Sequence, residues 1–272
     1  LTLDFVDFPL RDQSRSFQPS QEFYVKLSHF CFKNQHTATG SQIDQWSDLQ
    51  ELPYQLGIAT AQPVLVLVGG ASKMEPEALD RLQQFFTEVL APLMQRLNGV
   101  VIDGGTDCGV MQLMGQAREQ IGATFPLIGV CAIGTVILPD GTPPISPDAA
   151  ELEPHHSHFV LVPGDTWGAE SPWLAKLATV IAAGFPSCTV VSNGGEITWQ
   201  DVGCSVEERR TTFVLDGSGR TADAIAAALK GEDSDPRSHP LIASGYLQRL
   251  ALSDELETLQ QVLQTCLAGI KP

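Results

Sequence analysis

Val100-Val101-Ile102-Asp103-Gly104-Gly105-Thr106-Asp107-Cys108-Gly109-Val110-Met111 sets a short apolar run, a small-residue turn and the start of a helical pattern in immediate succession. The run reads as a strand buried on both faces, the usual state of a parallel-sheet strand. Downstream, Val110, Met111, Met114, Ala117 and Ile121 keep helical spacing, so a helix over residues 107–121 is expected. A strand that turns through glycine directly into a helix predicts one βα unit, and the same order recurs on both sides of it.

Upstream, residues 64–68 form another apolar run before Gly69-Gly70, followed by a helical pattern carrying Leu79, Leu82, Phe86, Val89, Leu93 and Leu97. Pro92 is expected to kink or restart that helix. Downstream, strands are expected at residues 127–132, 159–162, 188–191 and 212–215. A helix begins at Ser171-Pro172 and stops at Gly184 before Pro186, and another spans about residues 218–230. Strands alternating with helices predict an α/β fold: a Rossmann-like three-layer sandwich with a mostly parallel central sheet. Residues 1–60 are expected to be an N-terminal extension packed on the core, with strand-like content at residues 23–32 and a polar, turn-rich stretch at 34–48. Residues 61–231 are the Rossmann-like domain. Residues 232–272 are a C-terminal helical appendage, with helices at 241–250 and 254–267. Residues 139–154, with five prolines, read as a long surface loop.

The chain has 272 residues, 43% of them hydrophobic, and carries 32 acidic against 16 basic residues for a formal charge of −16. That balance argues against nucleic acid or an anionic membrane surface as partner, because binding a phosphate backbone needs clustered cations. A small phosphorylated ligand stays compatible, since backbone N–H groups and one or two basic side chains suffice for it. No stretch has the length of a membrane span, and the apolar segment 174–191 is interrupted at Gly184 and Pro186. With no basic-then-apolar leader pattern and six scattered cysteines, a cytoplasmic protein is expected.

Four glycine-rich turns follow apolar runs: Gly69-Gly70, Gly104 to Gly109, Asn193-Gly194-Gly195 and Asp216-Gly217-Ser218-Gly219-Arg220. At one sheet edge they predict a single site in which bare N–H groups approach a phosphate. Thr106 and Thr198 are candidate hydroxyl donors, Asp107, Gly109 and Val110 stand at the helix start, and Arg220 is the candidate charge partner. The alternative is a set of tight turns that use glycine only for its positive φ. The segment 216–222 fits a dinucleotide fingerprint, but no following strand is read that would supply its ribose-binding acid. Asp165, Thr166 and Trp167 follow the fourth strand, with Asp165 or Glu170 placed to take a ribose hydroxyl and Trp167 to stack on a base or form a plug beneath the 139–154 loop. His158 is read either as a ligand contact or as a cap on the sheet edge. His155, His156 and His158 are not expected to bind metal, because neighbours in an extended segment point to opposite faces. Cys108 is read as a small buried residue.

Taken together and in order, Val68-Gly69-Gly70, Asp103-Gly104-Gly105 through Met111, His156-Ser157-His158-Phe159, Gly194-Gly195 and Asp216 through Asp223 resemble the SLOG/LSDAT nucleotide-binding superfamily. This group includes the LOG phosphoribohydrolases, the DprA/Smf proteins and the amino-terminal domain of TRPM channels. The chain is most similar to the prokaryotic TRPM-like branch, over about residues 64–229. The resemblance implies a Rossmann-like fold and a ligand such as ADP-ribose, NAD or a related nucleotide. The hydrolase branch carries a P-G-G-x-G-T-x-x-E loop. Laid on it, residues 193–201 put Ile197 at the third glycine and Asp201 at the glutamate, and the preceding helix holds Lys176 and no arginine.

A binding or sensor domain for a nucleotide-derived ligand is therefore expected, with no cofactor required and a homo-oligomer compatible with the terminal helices. The alternatives are a nucleoside 5'-monophosphate N-glycosidase using Asp201 or Glu196, and a ligand-free assembly module.

Overall fold

Side chains that are apolar at every position cannot sit on a one-sided sheet, and the runs at residues 64–68 and 100–102 are accordingly buried throughout. The computed structural model describes residues 26–71, 73–232 and 235–269. Its elements begin with β1 (Lys26–Cys31), β2 (Thr37–Gln42), a 3-10 turn (Trp46–Gln50), α1 (Leu52–Gln55) and β3 (Val64–Gly69). Next come α2 (Pro76–Gln84), a π-helical turn (Phe85–Leu90), α3 (Ala91–Leu97), β4 (Val100–Asp103) and α4 (Gly109–Gln120). The chain continues through β5 (Leu127–Ala132), β6 (Val136–Ile137), β7 (Ala150–Glu151), β8 (His158–Val162), α5 (Ser171–Ala182) and β9 (Ser187–Ser192). It closes with α6 (Glu196–Glu207), β10 (Thr211–Asp216), α7 (Arg220–Leu229), α8 (Ser238–Ala243), β11 (Leu247–Ala251) and α9 (Leu256–Leu267).

Among the described residues, nine strands form one sheet in the order β1-β2-β8-β5-β4-β3-β9-β10-β11. Every pairing is parallel except that of β1 with β2. From β3 the chain steps outward through β4 and β5 to β8, then returns across β3 to β9 and steps outward the other way. That reversal at β3 is the topological switch point, where the carboxyl ends of the strands leave a crevice. The expected Rossmann-like sandwich is therefore observed, with helices on both faces.

One face of the sheet packs against α5, α6 and α7 through Leu174, Leu177, Ile181, Val202 and Ile225. The other packs against the α2–α3 segment, α4 and α9 through Phe85, Phe86, Leu93, Met114 and Leu263. Each such fully buried apolar side chain contributes about 2 kcal/mol relative to exposure. Pro92 stands in the first turn of α3, which starts directly after the π-helical turn without leaving helical φ/ψ. The π turn before it lets the Ala91 amide reach back to Phe86 O, which absorbs the proline's missing N–H and its clash with the preceding turn.

Two expectations change. The 241–250 helix is instead α8, a Gly245 turn at φ +77° and the edge strand β11, paired with β10 from Thr212↔Leu247 to Asp216↔Ala251. Leu247 and Leu250 are buried and spaced three apart, a helical signature that pairing with β10 overrides. A strand therefore does follow the 216–222 turn. Within the stretch read as polar and turn-rich, β2 pairs with β8, so the hairpin β1–β2 extends the main sheet. Residues 23–25 of the expected first strand lie outside the described residues.

Gly129 on β5 shows how closely these layers approach. A Cβ there would lie 2.5 Å from Gly105 Cα and 2.8 Å from the Phe159 ring. Gly129→Ala is expected to lower unfolding free energy by about 1–3 kcal/mol through overpacking, read by urea or thermal denaturation. An unchanged midpoint would mean that the turn above β5 yields without cost.

Candidate functional site

At the carboxyl end of β4 the chain buries a carboxylate. Asp103 is fully buried and its Oδ1 accepts the Gly105 N–H at 2.8 Å, which bends the turn back over the strand. The same oxygen lies 2.8 Å from His156 Nε2, while His156 Nδ1 lies 2.8 Å from Glu153 Oε2 and His155 Nδ1 lies 2.5 Å from Glu153 Oε1. His155 and His156 thus converge on one carboxylate, against the expectation of opposite faces, because the backbone turns at residues 154–155 instead of running extended. Gly115 on α4 makes room for it: a Cβ there would lie 2.1 Å from Glu153 Oε2. Burial works against charge on His156, but Asp103 and Glu153 outweigh it and raise the imidazole to about 9. An imidazolium therefore ties β4 to the segment that crosses α4.

These contacts, and others like them, use many of the turn amides that sequence reasoning left bare. Gly70 N–H bonds Ser192 O, Asp107 N–H bonds Glu151 O, and Cys108 N–H bonds Thr106 O. Gly194 N–H bonds Asn193 Oδ1, Gly195 N–H bonds Thr198 Oγ1, and Gly217 N–H bonds Asp223 Oδ1. Asn193 adopts φ +51° and is fully buried. Its backbone N–H bonds Ser218 Oγ and its Nδ2 bonds Ser218 O, both at 2.8 Å, which locks the third turn to the fourth. Thr221, missed by sequence reasoning, adds a bond to Gly195 O at 2.9 Å.

Between these turns lies a cavity of about 280 Å³ lined by Leu67, Val68, Gly69, Gly104, Thr106, Cys108, Met111, Trp167, Glu170, Leu174, Gly195, Glu196, Ile197, Thr198 and Asp201. It occupies the switch point over the carboxyl ends of β3, β4 and β9. A shallower annex shares Gly195 and Glu196 with it and adds Gly194, Trp199, Arg220, Thr221, Asp235 and Arg237. Of the expected site residues, Gly69, Gly104, Thr106, Trp167, Gly194, Gly195, Glu196, Thr198, Asp201 and Arg220 therefore meet around one opening. Asn193, Gly217, Ser218 and Gly219 stand behind it as scaffold. Gly70, Gly105, Gly109 and Val110 sit in or beside the turns without lining the cavity or annex. Asp107 faces a separate groove beside Phe32, Leu138 and Leu152. Asp165 and Thr166 are exposed beyond the rim. His158 begins β8 and so lies at the opposite edge of the sheet, with Nδ1 2.8 Å from Ser157 Oγ. Cys108 is exposed to the cavity and is not a core residue.

The cavity's charge differs from that of a simple phosphate cradle. Its ionisable lining groups are Cys108, Glu170, Glu196 and Asp201, with no basic side chain among the described lining residues. Burial pushes the Asp201 carboxyl up to about 7, partly offset by a hydrogen bond from Ser171 Oγ at 2.6 Å and reinforced by the Glu170 charge. Burial also raises Glu170, whose carboxylate accepts the Gly168 N–H. The positive groups are in the annex, where Arg237 stacks 4.5 Å over the Trp199 ring and pairs with Asp235 and Glu196. Trp167 forms a wall of the cavity, and its Nε1–H bonds Asp148 Oδ2 at 3.1 Å, tying the proline-rich loop to the rim.

Residues 62–261 match the family model described as SLOG in TRPM, prokaryote. The transient receptor potential cation channel subfamily M member 2 of Mus musculus is 27% identical over 204 residues, covering 62% of this chain and 13% of that protein. The subfamily M member-like 2 channel of Nematostella vectensis is 25% identical over 201 residues, covering 61% of this chain and 13% of that protein. The chain therefore aligns with about an eighth of the length of these channels, and no helix among its described residues is long and apolar enough to cross a membrane. With the family model spanning most of the sequence, the chain belongs to the SLOG in TRPM, prokaryote family.

The buried ion network gives a pH signature. His156 is raised from 6.5 to about 9 in the folded chain, so its stabilisation is complete below pH 6.5 and is lost as pH rises through 9. Unfolding free energy is expected to fall by up to about 3 kcal/mol across that window. His156→Gln is expected to remove this pH dependence while costing about 3–5 kcal/mol at pH 6, because it strands two buried carboxylates. A variant whose pH profile parallels the parent's would show that the imidazole carries no charge.

Proposed function

We propose that this member of the family binds a nucleotide-derived ligand, an adenosine nucleotide of the ADP-ribose or NAD type, across the cavity and its annex. The observation that carries the reading is the joined pair of compartments at the switch point, which share Gly195 and Glu196: the inner one is acidic and apolar, and the outer one holds the guanidinium groups of Arg220 and Arg237 beside Asp235. Such polarity matches a ligand with a sugar and base at one end and phosphate at the other. In this reading the ribose hydroxyls donate to Glu170 and Asp201, and the base lies against Trp167, Met111 and Leu174. Phosphate is repelled from those carboxylates. It goes instead to the annex beside the start of α6, where the positive end of the helix dipole and the Arg220 guanidinium on α7 favour an anion. Thr198 and Thr106 supply hydroxyls between the two ends.

Titration calorimetry at pH 7.5 with ADP-ribose, NAD and AMP tests this. Saturable binding is expected for at least one of them, weakened about tenfold or more by Arg220→Ala, the equivalent of about 1.4 kcal/mol. Absence of heat with all three, or an affinity indifferent to Arg220, would overturn the reading.

A second reading rests on Asp201 alone. A carboxyl raised to about 7 inside a cavity is poised to hold or give up a proton near neutral pH, as cleavage of an N-glycosidic bond requires. Glu196 is a poorer candidate, since its side chain is exposed and paired with Arg237. In this reading, proton NMR of AMP mixed with the protein shows a free ribose phosphate anomeric signal that Asp201→Asn abolishes. Ligand broadening without that signal would leave binding as the sole activity.

A further inference from the structure

Two carboxylates line the inner compartment with no cation beside them. Glu196, the third acid of the lining, is paired with Arg237, whereas among the described residues Glu170 and Asp201 are in no ion pair and no basic side chain lines the cavity. Ser171 Oγ donates to Asp201 Oδ1 at 2.6 Å, the one hydrogen bond that this carboxylate makes among the described residues, so its other oxygen is left for the cavity. The surroundings hold these groups in place. Gln200 Nε2 donates to Gly168 O at 2.8 Å, and with the Ser171 bond this fastens the 167–171 turn, which carries Trp167 and Glu170, to α6, which carries Asp201. Gly168 stands at φ +94°, and a Cβ on it would lie 3.0 Å from Gln200 Oε1 and 3.3 Å from Ile197 Cγ2, so the turn presses against the helix. Trp167 is pinned at the rim by its bond to Asp148. We propose that the inner compartment is a seat for a cationic heteroaromatic ring, so that the site selects a dinucleotide carrying a pyridinium over the same dinucleotide with a neutral ring. The seat belongs to the nucleotide site proposed above, and its assignment rests on that reading.

Carboxylates kept in a largely apolar cavity are costly unless a cation balances them. Burial raises the Glu170 carboxyl and takes Asp201 up to about 7, and a positive charge between the two offsets that burial. A metal ion suits the seat poorly: among the described residues no group of three His, Cys, Asp or Glu side chains is placed to hold one, and Met111, Trp167 and Leu174 would face its hydration shell. A delocalised organic cation has the opposite needs, an aromatic wall for its ring and an anion near its charge. In a pyridinium nucleotide the positive nitrogen is bonded to ribose C1′, so carboxylates placed for the ribose hydroxyls also lie beside the charge. Its diphosphate then extends into the annex toward Arg220. The reduced form keeps the ribose, the diphosphate and nearly the same ring but has lost the charge. ADP-ribose brings a neutral base or a bare ribose to the same place.

Titration calorimetry at pH 8, above the value to which Asp201 is raised, compares oxidised NAD, reduced NAD and ADP-ribose on the full chain and on Asp201→Asn, Glu170→Gln and Arg220→Ala. The oxidised form is expected to bind about tenfold or more tighter than the reduced form. Asp201→Asn, which keeps a partner for Ser171, and Glu170→Gln are each expected to bring that ratio to within about threefold of unity. Both forms share ribose and phosphates, so a variant that only loosens the cavity weakens both alike and leaves the ratio where it was. Equal affinities that both fall with Arg220→Ala, tighter binding of the reduced form, or a ratio that survives both carboxylate variants would overturn the cation seat and leave the nucleotide site standing. Absence of binding by all three ligands would overturn the seat together with the reading on which it rests.

Discussion

The imidazolium of His156, held between Asp103 and Glu153, is the interaction on which the site is built. Asp103 ends a strand of the sheet, and Glu153 belongs to a segment that crosses α4 beneath Gly115. One buried side chain therefore joins the sheet, the helix layer and the proline-rich excursion. The excursion follows β4's turn closely, with Thr106 bridged to Leu152 and Glu153 N–H donating to Gly105 O. A carboxylate left alone in that position would cost several kcal/mol, so the three groups stand or fall together. With the turn held this way, its amides serve the protein's own framework, and it works as a rigid wall of the cavity.

That wall changes where a ligand's charge can go. Parallel strands carry the starts of α4, α5 and α6 to one edge, which favours an anion there in general. The side chains then partition the edge. Glu170 and Asp201 make the inner compartment unfavourable to phosphate, while Arg220 and Arg237 lie outside it across Gly195. Asp201 carries a cost that folding alone does not explain: burial raises its carboxyl to about 7 when a neutral residue would pack without penalty. Groups held in such a state against stability concentrate at functional sites.

The sheet was largely legible in the sequence because buried parallel strands announce themselves as unbroken apolar runs, as at residues 64–68, 127–132 and 188–191. What escaped was set by tertiary contact. The strand β11 has Leu247 and Leu250 at helical spacing and becomes a strand only by pairing with β10. The glycines marked the right edge for a partly different reason. Gly69 and Gly105 are required because a Cβ would meet Ser192 O at 1.9 Å or Gly129 Cα at 2.8 Å, which no single-segment pattern reveals. Glu153 and His156 are far from Asp103 in sequence, and the one available clue was that an aspartate ending a buried run needs a partner somewhere. Ser171, whose hydroxyl bonds Asp201, sits at a helix start where capping accounts for it equally well.

The most direct test of the account is an NMR titration of methyl- and indole-labelled protein with ADP-ribose. The prediction is that the Trp167 indole and the methyl groups of Met111, Leu174, Ile197 and Thr198 shift together and saturate at one affinity, while those of Leu138 and Leu152 in the separate groove stay fixed. Shifts confined to that groove, or none at all, would contradict a nucleotide site at the switch point.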